Sequence, residues 1–226
     1  MSFKSILLVG AFALSAVAAP IGACPVPKVE EPVKDINGSA PTLTAEKLIQ
    51  ISPATASCSG ADFPEECADA PTIVDALNKA FETYKITSVG EQAAIVAYEL
   101  FESGNYKYKK NHFPGRPGQG TRMMAMPPFV EKYATALAGA DAVATAKAQG
   151  GDAGLVAVLD LVNDTEEKSS GSAPWFVSTQ CTEAVRAGLA AESVDGWHAF
   201  LTECVGTTLA EERDTPWMAA KQILLG

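Results

Sequence analysis

A carboxylate near the end of an apolar helical run is the first candidate for chemistry in this sequence. The run from Ala93 to Phe101 leads into Glu102-Ser103-Gly104. The free carbonyl groups at a helix C-terminus carry partial negative charge, so the pKa of a carboxyl group there is expected to rise. Because a general acid that works near neutral pH needs a raised pKa, Glu102 is a candidate acid. The alternative is an exposed carboxylate that pairs with a nearby lysine.

The loop that follows Glu102 has the composition of a ligand-binding wall. Tyr106 and His112 offer aromatic faces of the kind that stack on sugar rings. Gln119, Thr121 and Arg122 offer groups that hydrogen-bond to hydroxyls or amides. Glycines and prolines among them would let the backbone lie close to a ligand. The alternative is an ordinary surface loop whose aromatic side chains pack on the core.

Helical periodicity dominates the elements that must position these residues. Apolar side chains recur at helical spacing over residues 70–84. Ser88 and Glu91 form a Ser-x-x-Glu capping box, which predicts the start of the helix that ends at Glu102. That helix, about residues 90–104, is apolar on nearly every side, so we expect it to be buried at the centre of the domain.

The rest of the chain predicts further helices. We expect a short helix within 42–51 with Thr44 as its N-cap, and later helices over residues 154–162, 173–190 and 194–205, with the residues from Asn163 to Ser172 as a polar loop. No alternating strand pattern persists, so the sequence predicts a mainly α single domain over residues 42–226.

The first 41 residues have the sequence patterns of a signal peptide followed by a tail. Lys4, an apolar run and Ala16-Val17-Ala18 have the pattern of a signal peptide over residues 1–18. Residues 19–41 are rich in proline and lack apolar periodicity, which predicts a flexible tail or propeptide. We therefore expect a secreted, extracellular protein. Two sequons, at Asn37 and Asn163, predict glycosylation.

Five cysteines in an exported chain predict disulfides before metal ligands. Cys58 and Cys67 enclose a short loop, and Cys181 and Cys204 flank a helical stretch, which leaves Cys24 over. A metal site is not expected, because the chain has only two histidines and no CxxC or HxxxH spacing.

Composition narrows the classes of partner. Charged residues make up 19% of the chain and the net charge is −10, which argues against nucleic acid and anionic membranes as partners. Nothing in the sequence indicates a cofactor, and we expect a monomer. A polysaccharide substrate or ligand is the partner that the resemblance described next implies.

The segment around Glu102 resembles the lysozyme-like superfamily, in particular goose-type lysozymes, lytic transglycosylases and chitinase-like enzymes. In those proteins a central helix ends in a catalytic Glu-Ser pair, which Glu102-Ser103 matches. A downstream Gly-Leu-Met-Gln type of element is matched loosely by residues 118–124 (GQGTRMM). The segment is also similar to a group of secreted fungal proteins that share the pattern FESGxxKYxxNHFPGxPGQGT.

The resemblance implies a lysozyme-like helical domain that cleaves a β-1,4-linked amino-sugar polymer, peptidoglycan or chitin-like, with Glu102 as the general acid. Hydrolysis normally needs a second carboxylate, whereas transglycosylation needs only one. Glu99, Glu131 and Asp141 are the candidates for the second carboxylate. The alternative function is a non-catalytic secreted protein that binds a glycan, or acts as an effector, on the same scaffold.

Overall fold

The computed structural model describes residues 43–226, which lie within one compact unit. The predicted signal peptide (1–18), the tail (19–41), Cys24 and the Asn37 sequon all lie outside the described residues. Ten α-helices and no strand occur between residues 43 and 226, so the prediction of a mainly α domain is confirmed.

Helices of 6 to 15 residues make up this architecture, and short connections join most of them. None of the helices in the described part of the chain is long and apolar enough to cross a membrane. A 3-10 turn at Pro53–Ala56 follows the first helix, and a π-helical turn at Phe200–Val205 follows the ninth. The α-helices are α1 (Ala45–Ile51), α2 (Ala70–Tyr84), α3 (Val89–Glu102), α4 (Pro127–Ala138), α5 (Ala140–Lys147), α6 (Gly151–Asn163), α7 (Glu166–Gln180), α8 (Glu183–Ala190), α9 (Val194–Ala199) and α10 (Glu211–Leu225).

Side-chain caps fix where the first helices begin. The Thr44 hydroxyl accepts a hydrogen bond from the Lys47 amide at the start of α1, as predicted. The Ser88 hydroxyl accepts from the Glu91 amide at the start of α3, which confirms the predicted cap. Each cap satisfies an amide that has no partner inside its own helix.

Helix α3 lies at the centre of the fold. Every residue from Gly90 to Leu100 is buried, and α10, α8 and α7 pack around the helix. Gly90 lies against the backbone carbonyl of Leu189 in α8, where a Cβ atom would collide with that oxygen. Since α3 is enclosed in this way, carboxylates along it are held at fixed and largely dry positions.

The predicted polar loop from Asn163 to Ser172 is wrong, because α7 begins at Glu166 with Thr165 as its N-cap. The serines there look like loop residues, yet Ser169, Ser170 and Ser172 are buried. Their hydroxyls donate to Asn163 Oδ1, Glu166 Oε1 and the Ser169 carbonyl, respectively. Hydrogen bonds of this kind allow small polar side chains to face a helical interior.

Two disulfides staple the domain, as the spacing predicts. Cys58 is bonded to Cys67, which closes a loop before α2. Cys181 is bonded to Cys204, which ties the end of α7 to the π-helical turn. The first bridge holds the loop that carries Phe63, a residue of the site described next.

Candidate functional site

The segment between α3 and α4, residues 103–126, is called here the central loop. Its fold depends on Arg122, whose side chain is completely buried. The guanidinium makes two hydrogen bonds of 2.7 Å to the carboxylate of Glu166, and Nη1 donates to the carbonyls of Tyr106 and Tyr108 at 2.9 and 3.1 Å. One arginine therefore joins two separate parts of the loop to α7.

The pKa of Glu166 reports this pairing. Burial acts to raise it, but the hydrogen bonds and charge of Arg122 outweigh burial and hold the pKa below its usual value. Glu166 is thus a carboxylate in the folded protein, and the pair is a buried salt bridge.

A groove opens where the central loop crosses α6. It encloses about 490 Å³, within the range typical of small-molecule sites. Gly118 brings the loop onto the helix: its φ is +72°, and a Cβ atom there would lie 2.7 Å from the Leu155 Cβ. The apolar lining residues are Pro117, Ala153, Val156, Ala157 and Leu159.

Polar side chains border the same groove. Asn111 Oδ1 accepts from the amides of Gly115 and Arg116, which fixes the tip of the loop. Lys110 Nζ lies 3.2 Å from Asp160 of α6, while residues 113–116 are exposed. The remaining polar lining residues are His112, Gln119, Gln149 and Asp152. An apolar floor with donors at its edge suits a ligand that is mainly carbon but has a few oxygen atoms.

An aromatic cluster stands at one end of the groove. The His112 ring stacks on Phe63 with centroids 3.6 Å apart, and Tyr108 meets Phe113 edge to face. His112 Nε2 lies 2.9 Å from Glu66 Oε1, so the orientation of the ring is fixed. Phe113 is 75% exposed, which is unusual for a phenylalanine that is held in an ordered cluster.

Glu102 does not line this groove. Its side chain is 19% exposed and lies 3.5 Å from Arg213 of α10, whose guanidinium covers the ring of Phe101. Burial raises the pKa of Glu102, and Arg213 offsets part of that rise. The direction agrees with the sequence argument, but the carboxylate faces an arginine instead of the central loop.

The candidate second carboxylates are not arranged around Glu102 as a glycosidase would need. Glu131 is paired with Lys147 at 2.6 Å on the surface, and Asp141 is exposed in the first turn of α5. Glu99 is completely buried. No pair with Glu102 therefore forms across an open cleft.

Three of the five residues expected to bind a substrate point into the fold. Tyr106, Thr121 and Arg122 are all 0% exposed, so in this structure they cannot contact a polymer. His112 and Gln119 do line the groove. The composition of the loop identified polar and aromatic groups but could not tell which of them the backbone turns inward.

Tyr106 and Thr121 are turned inward by strained backbone. Their φ angles are 61° and 65°, in the left-handed region, which is a genuine outlier for a β-branched threonine. Such a conformation costs on the order of 1–3 kcal/mol and persists only where the surrounding structure enforces it. The bonds from Arg122 to the loop carbonyls supply that enforcement.

Three buried side chains near this strain have polar atoms without hydrogen-bond partners among residues 43–226. The four atoms are the two carboxyl oxygens of Glu99, the hydroxyl oxygen of Tyr106 and the hydroxyl oxygen of Thr121. Each such atom costs about 1–3 kcal/mol if it stays unbonded. Together that cost would approach the whole stability of an ordinary domain, about 5–15 kcal/mol.

Glycosylation at Asn163 stays a prediction, and the structure places this side chain inside the fold. The side chain is 7% exposed, its Nδ2 donates to the Lys109 carbonyl at 2.8 Å, and its Oδ1 accepts from Ser169. Asn163 therefore connects α6 to the central loop, and its amide is not accessible for modification.

No group of three or more His, Cys, Asp or Glu side chains suited to a metal ion occurs within residues 43–226. His198 instead contacts Asp214 at 3.2 Å, and the same carboxylate accepts from the Trp197 indole at 2.8 Å. This second histidine is therefore part of the packing between α9 and α10.

Part of this chain is similar in sequence to a fungal protein. No family model and no solved structure matches the chain. A protein of Fusarium oxysporum (strain Fo5176) named bifunctional dioxygenase (DOX)-epoxy alcohol synthase (EAS) is 38% identical over 151 residues. Those residues are 65% of this chain but only 11% of that protein, so the similarity concerns a small part of a much longer polypeptide.

The prediction of a glycoside-cleaving enzyme is wrong on this comparison, because the similar protein is named for oxidative chemistry and nothing points to glycoside cleavage. The lysozyme-like resemblance itself stays an untested prediction. Sequence reasoning also missed the groove residues on α6. The sequence signal for these residues is the stretch GLVAVLDLV, which is apolar on more sides than a half-buried helix needs. One of its apolar side chains, Val156, is 37% exposed in the groove.

Proposed function

We propose that this chain is a non-catalytic binding protein that holds a small amphipathic molecule, with an apolar carbon body and oxygen-containing groups, in the groove between the central loop and α6. The observation that carries the proposal is the groove itself, in which Val156 and Leu159 form apolar lining while Asn111 and Arg116 stand at the edge. Apolar burial would supply affinity and the polar edge would supply orientation.

The name of the similar protein favours one class of ligand. An epoxy alcohol synthase makes an epoxy alcohol, which combines a carbon body with hydroxyl and epoxide oxygens. Those oxygens accept hydrogen bonds, and the guanidinium and amide groups at the groove edge donate them. We therefore propose an epoxy alcohol, or an oxygenated molecule of the same kind, as the ligand.

The bonds of the groove residues favour binding over catalysis. Lys110 is paired with Asp160, His112 with Glu66, and Asn111 with backbone amides of the loop. Side chains committed in this way shape a site, whereas a general acid or base must be able to exchange a proton with its ligand. The two disulfides support secretion as the setting in which the protein works.

Filling the groove should abolish binding. We expect Val156→Trp to weaken the affinity for an aliphatic epoxy alcohol at least tenfold, because the larger side chain occupies the volume where the carbon body would lie. Isothermal titration calorimetry of wild type and variant measures this effect, and chromatography of the recovered ligand shows whether it is unchanged.

Val194→Trp is the matched control, since Val194 is also an exposed valine on a helix but lies outside the groove. It should bind within about twofold of wild type. Equal binding by Val156→Trp and wild type would place the ligand elsewhere. Tighter binding of a chitin oligosaccharide than of the epoxy alcohol would replace the proposed ligand class, and conversion of the ligand would replace the non-catalytic reading.

A further inference from the structure

The interior between α3, the central loop and α7 contains polar groups that the fold does not satisfy. Glu99 on α3 is 0% exposed, and neither carboxyl oxygen has a hydrogen-bond partner of good geometry among residues 43–226, although the backbone amide of Ala173 lies near enough to lower its pKa. The hydroxyl groups of Tyr106 and Thr121 are also fully buried and also lack a hydrogen-bond partner among these residues. Native folds seldom keep such groups dry, because buried polar atoms nearly always have a partner in protein or ordered water.

The neighbouring ion pair does not supply the missing partners. Arg122 directs its hydrogen bonds to Glu166 and to the carbonyls of Tyr106 and Tyr108, and none to Glu99. Its guanidinium carbon lies 5.9 Å from the centroid of the Tyr106 ring. Arg122 therefore acts on Glu99 through its charge and without a hydrogen bond, and the charge of Glu166 opposes that effect.

The hydrogen-bonding capacity of these groups decides which kind of molecule could act as their partner. Burial raises the pKa of Glu99 well above its usual value, although Arg122 opposes the shift. A neutral carboxyl group and two hydroxyls can each donate and accept hydrogen bonds, which matches water. A metal cation is disfavoured, because Glu99 belongs to no group of three or more His, Cys, Asp or Glu side chains suited to a metal ion within residues 43–226.

We infer that ordered water molecules bound inside the fold hydrogen-bond to the Glu99 carboxyl group and the Tyr106 hydroxyl, and so form an internal hydration site beneath the central loop. Waters of this kind typically make about three hydrogen bonds each to polar groups that would otherwise be unsatisfied. The site holds the strained segment of the loop against α3, and it is separate from the groove that binds the proposed ligand.

Isosteric removal of one hydroxyl tests the inference by the sign of its effect. If the Tyr106 hydroxyl is bonded to water, Tyr106→Phe should lower the folding equilibrium constant by about three- to tenfold, which is the usual value of one hydrogen bond. If the hydroxyl has no partner, the same change removes a buried unsatisfied group and should leave the constant unchanged or raise it. Urea unfolding measures the constant, and the second result would overturn the inference.

Tyr133→Phe is the control, since the Tyr133 hydroxyl donates to the Lys168 carbonyl at 2.8 Å and its loss should lower the constant in either case. A high-resolution crystal structure of the wild-type protein, from crystals soaked in a rubidium salt, gives an independent readout. Water density at about 3 Å from Glu99 and Tyr106 supports the inference. An anomalous rubidium peak there, or no density at all, would overturn it.

Discussion

Arg122→Met is expected to destabilise the protein by about 3–5 kcal/mol, the usual cost of removing one partner of a buried ion pair. Methionine keeps an unbranched side chain but is shorter than arginine and donates no hydrogen bond. The Glu166 carboxylate, with a side chain only 17% exposed, would lose both of its bonds to the arginine, and two loop carbonyls would lose their donor. Urea unfolding followed by tryptophan fluorescence measures the change.

The next residue along α7 provides a matched control for that substitution. Glu167 pairs with Lys79 at the same distance of 2.7 Å, but both side chains are about 60% exposed. Because an exposed pair contributes only about 0–1 kcal/mol, Lys79→Met should be nearly neutral. Similar losses in the two variants would mean that Arg122 does not hold the central loop in the way described.

A double substitution separates the unpaired charge from the loss of packing. Arg122→Met combined with Glu166→Leu leaves no buried charge, so it should recover part of the stability lost by Arg122→Met alone. The part that is not recovered reports the lost packing together with the lost hydrogen bonds to the Tyr106 and Tyr108 carbonyls.

Glu99→Gln is expected to make the protein more stable than wild type at pH 8, by an amount that shrinks as the pH falls. The pKa of Glu99 in the folded protein is raised by burial above the value of 4.5 that it has when exposed. Between those two values the folded state binds one proton more than the unfolded state, so wild-type stability falls as pH rises, by up to about 1.4 kcal/mol per pH unit. Glutamine is neutral at every pH and has no such slope.

The charged and titratable groups near Glu99 shift one another's pKa values in known directions. Arg122 lowers the pKa of Glu99 and Glu166 raises it. Burial is the main cause that raises the pKa values of Tyr106 and Tyr133, and the charge of Glu99 adds to that rise. The pKa values of both tyrosines are raised and the pKa of Glu166 is lowered, so Glu99 is the group in this cluster whose charge is expected to change between pH 4 and pH 8.

Glu91→Gln, on the same helix, should have the opposite effect. Glu91 is also buried, but its carboxylate accepts hydrogen bonds from Arg186 at 2.7 Å and from Ser88 at 2.9 Å. Removing that negative charge breaks a partly buried pair, so the variant should be less stable than wild type at pH 8. Unfolding free energies across pH 4–8 for the three proteins test both statements. A Glu99→Gln profile parallel to wild type would contradict them.

Local signals were sufficient to predict much of the fold. Thr44 and Ser88 cap their helices because a hydroxyl one residue before a helix can reach an unpaired amide, which is a property of sequence spacing. The disulfides followed from spacing and from the expected compartment. The buried serines of α7 misled the prediction, because their hydroxyls are satisfied by partners that the local pattern does not show.

The site depended on contacts between distant parts of the chain. Arg122 looked like a ligand-binding residue, but its partner Glu166 lies 44 positions away and decides that it faces inward. The groove requires α6 to lie against the central loop, which only the packing of the whole domain brings about. Glu102 was predicted to have a raised pKa for a sound local reason, yet the location of Arg213 determines what it faces.

The most direct test of the binding proposal is to map amide chemical shifts by NMR while an aliphatic epoxy alcohol is added to the wild-type protein. We expect saturable shifts concentrated in residues 110–119 and in α6, with little change in α10. Shifts concentrated in α1 and α10 would place the ligand in the separate cavity of about 480 Å³ beside Phe101 and Pro216. That result, or the absence of saturable shifts, would contradict the account.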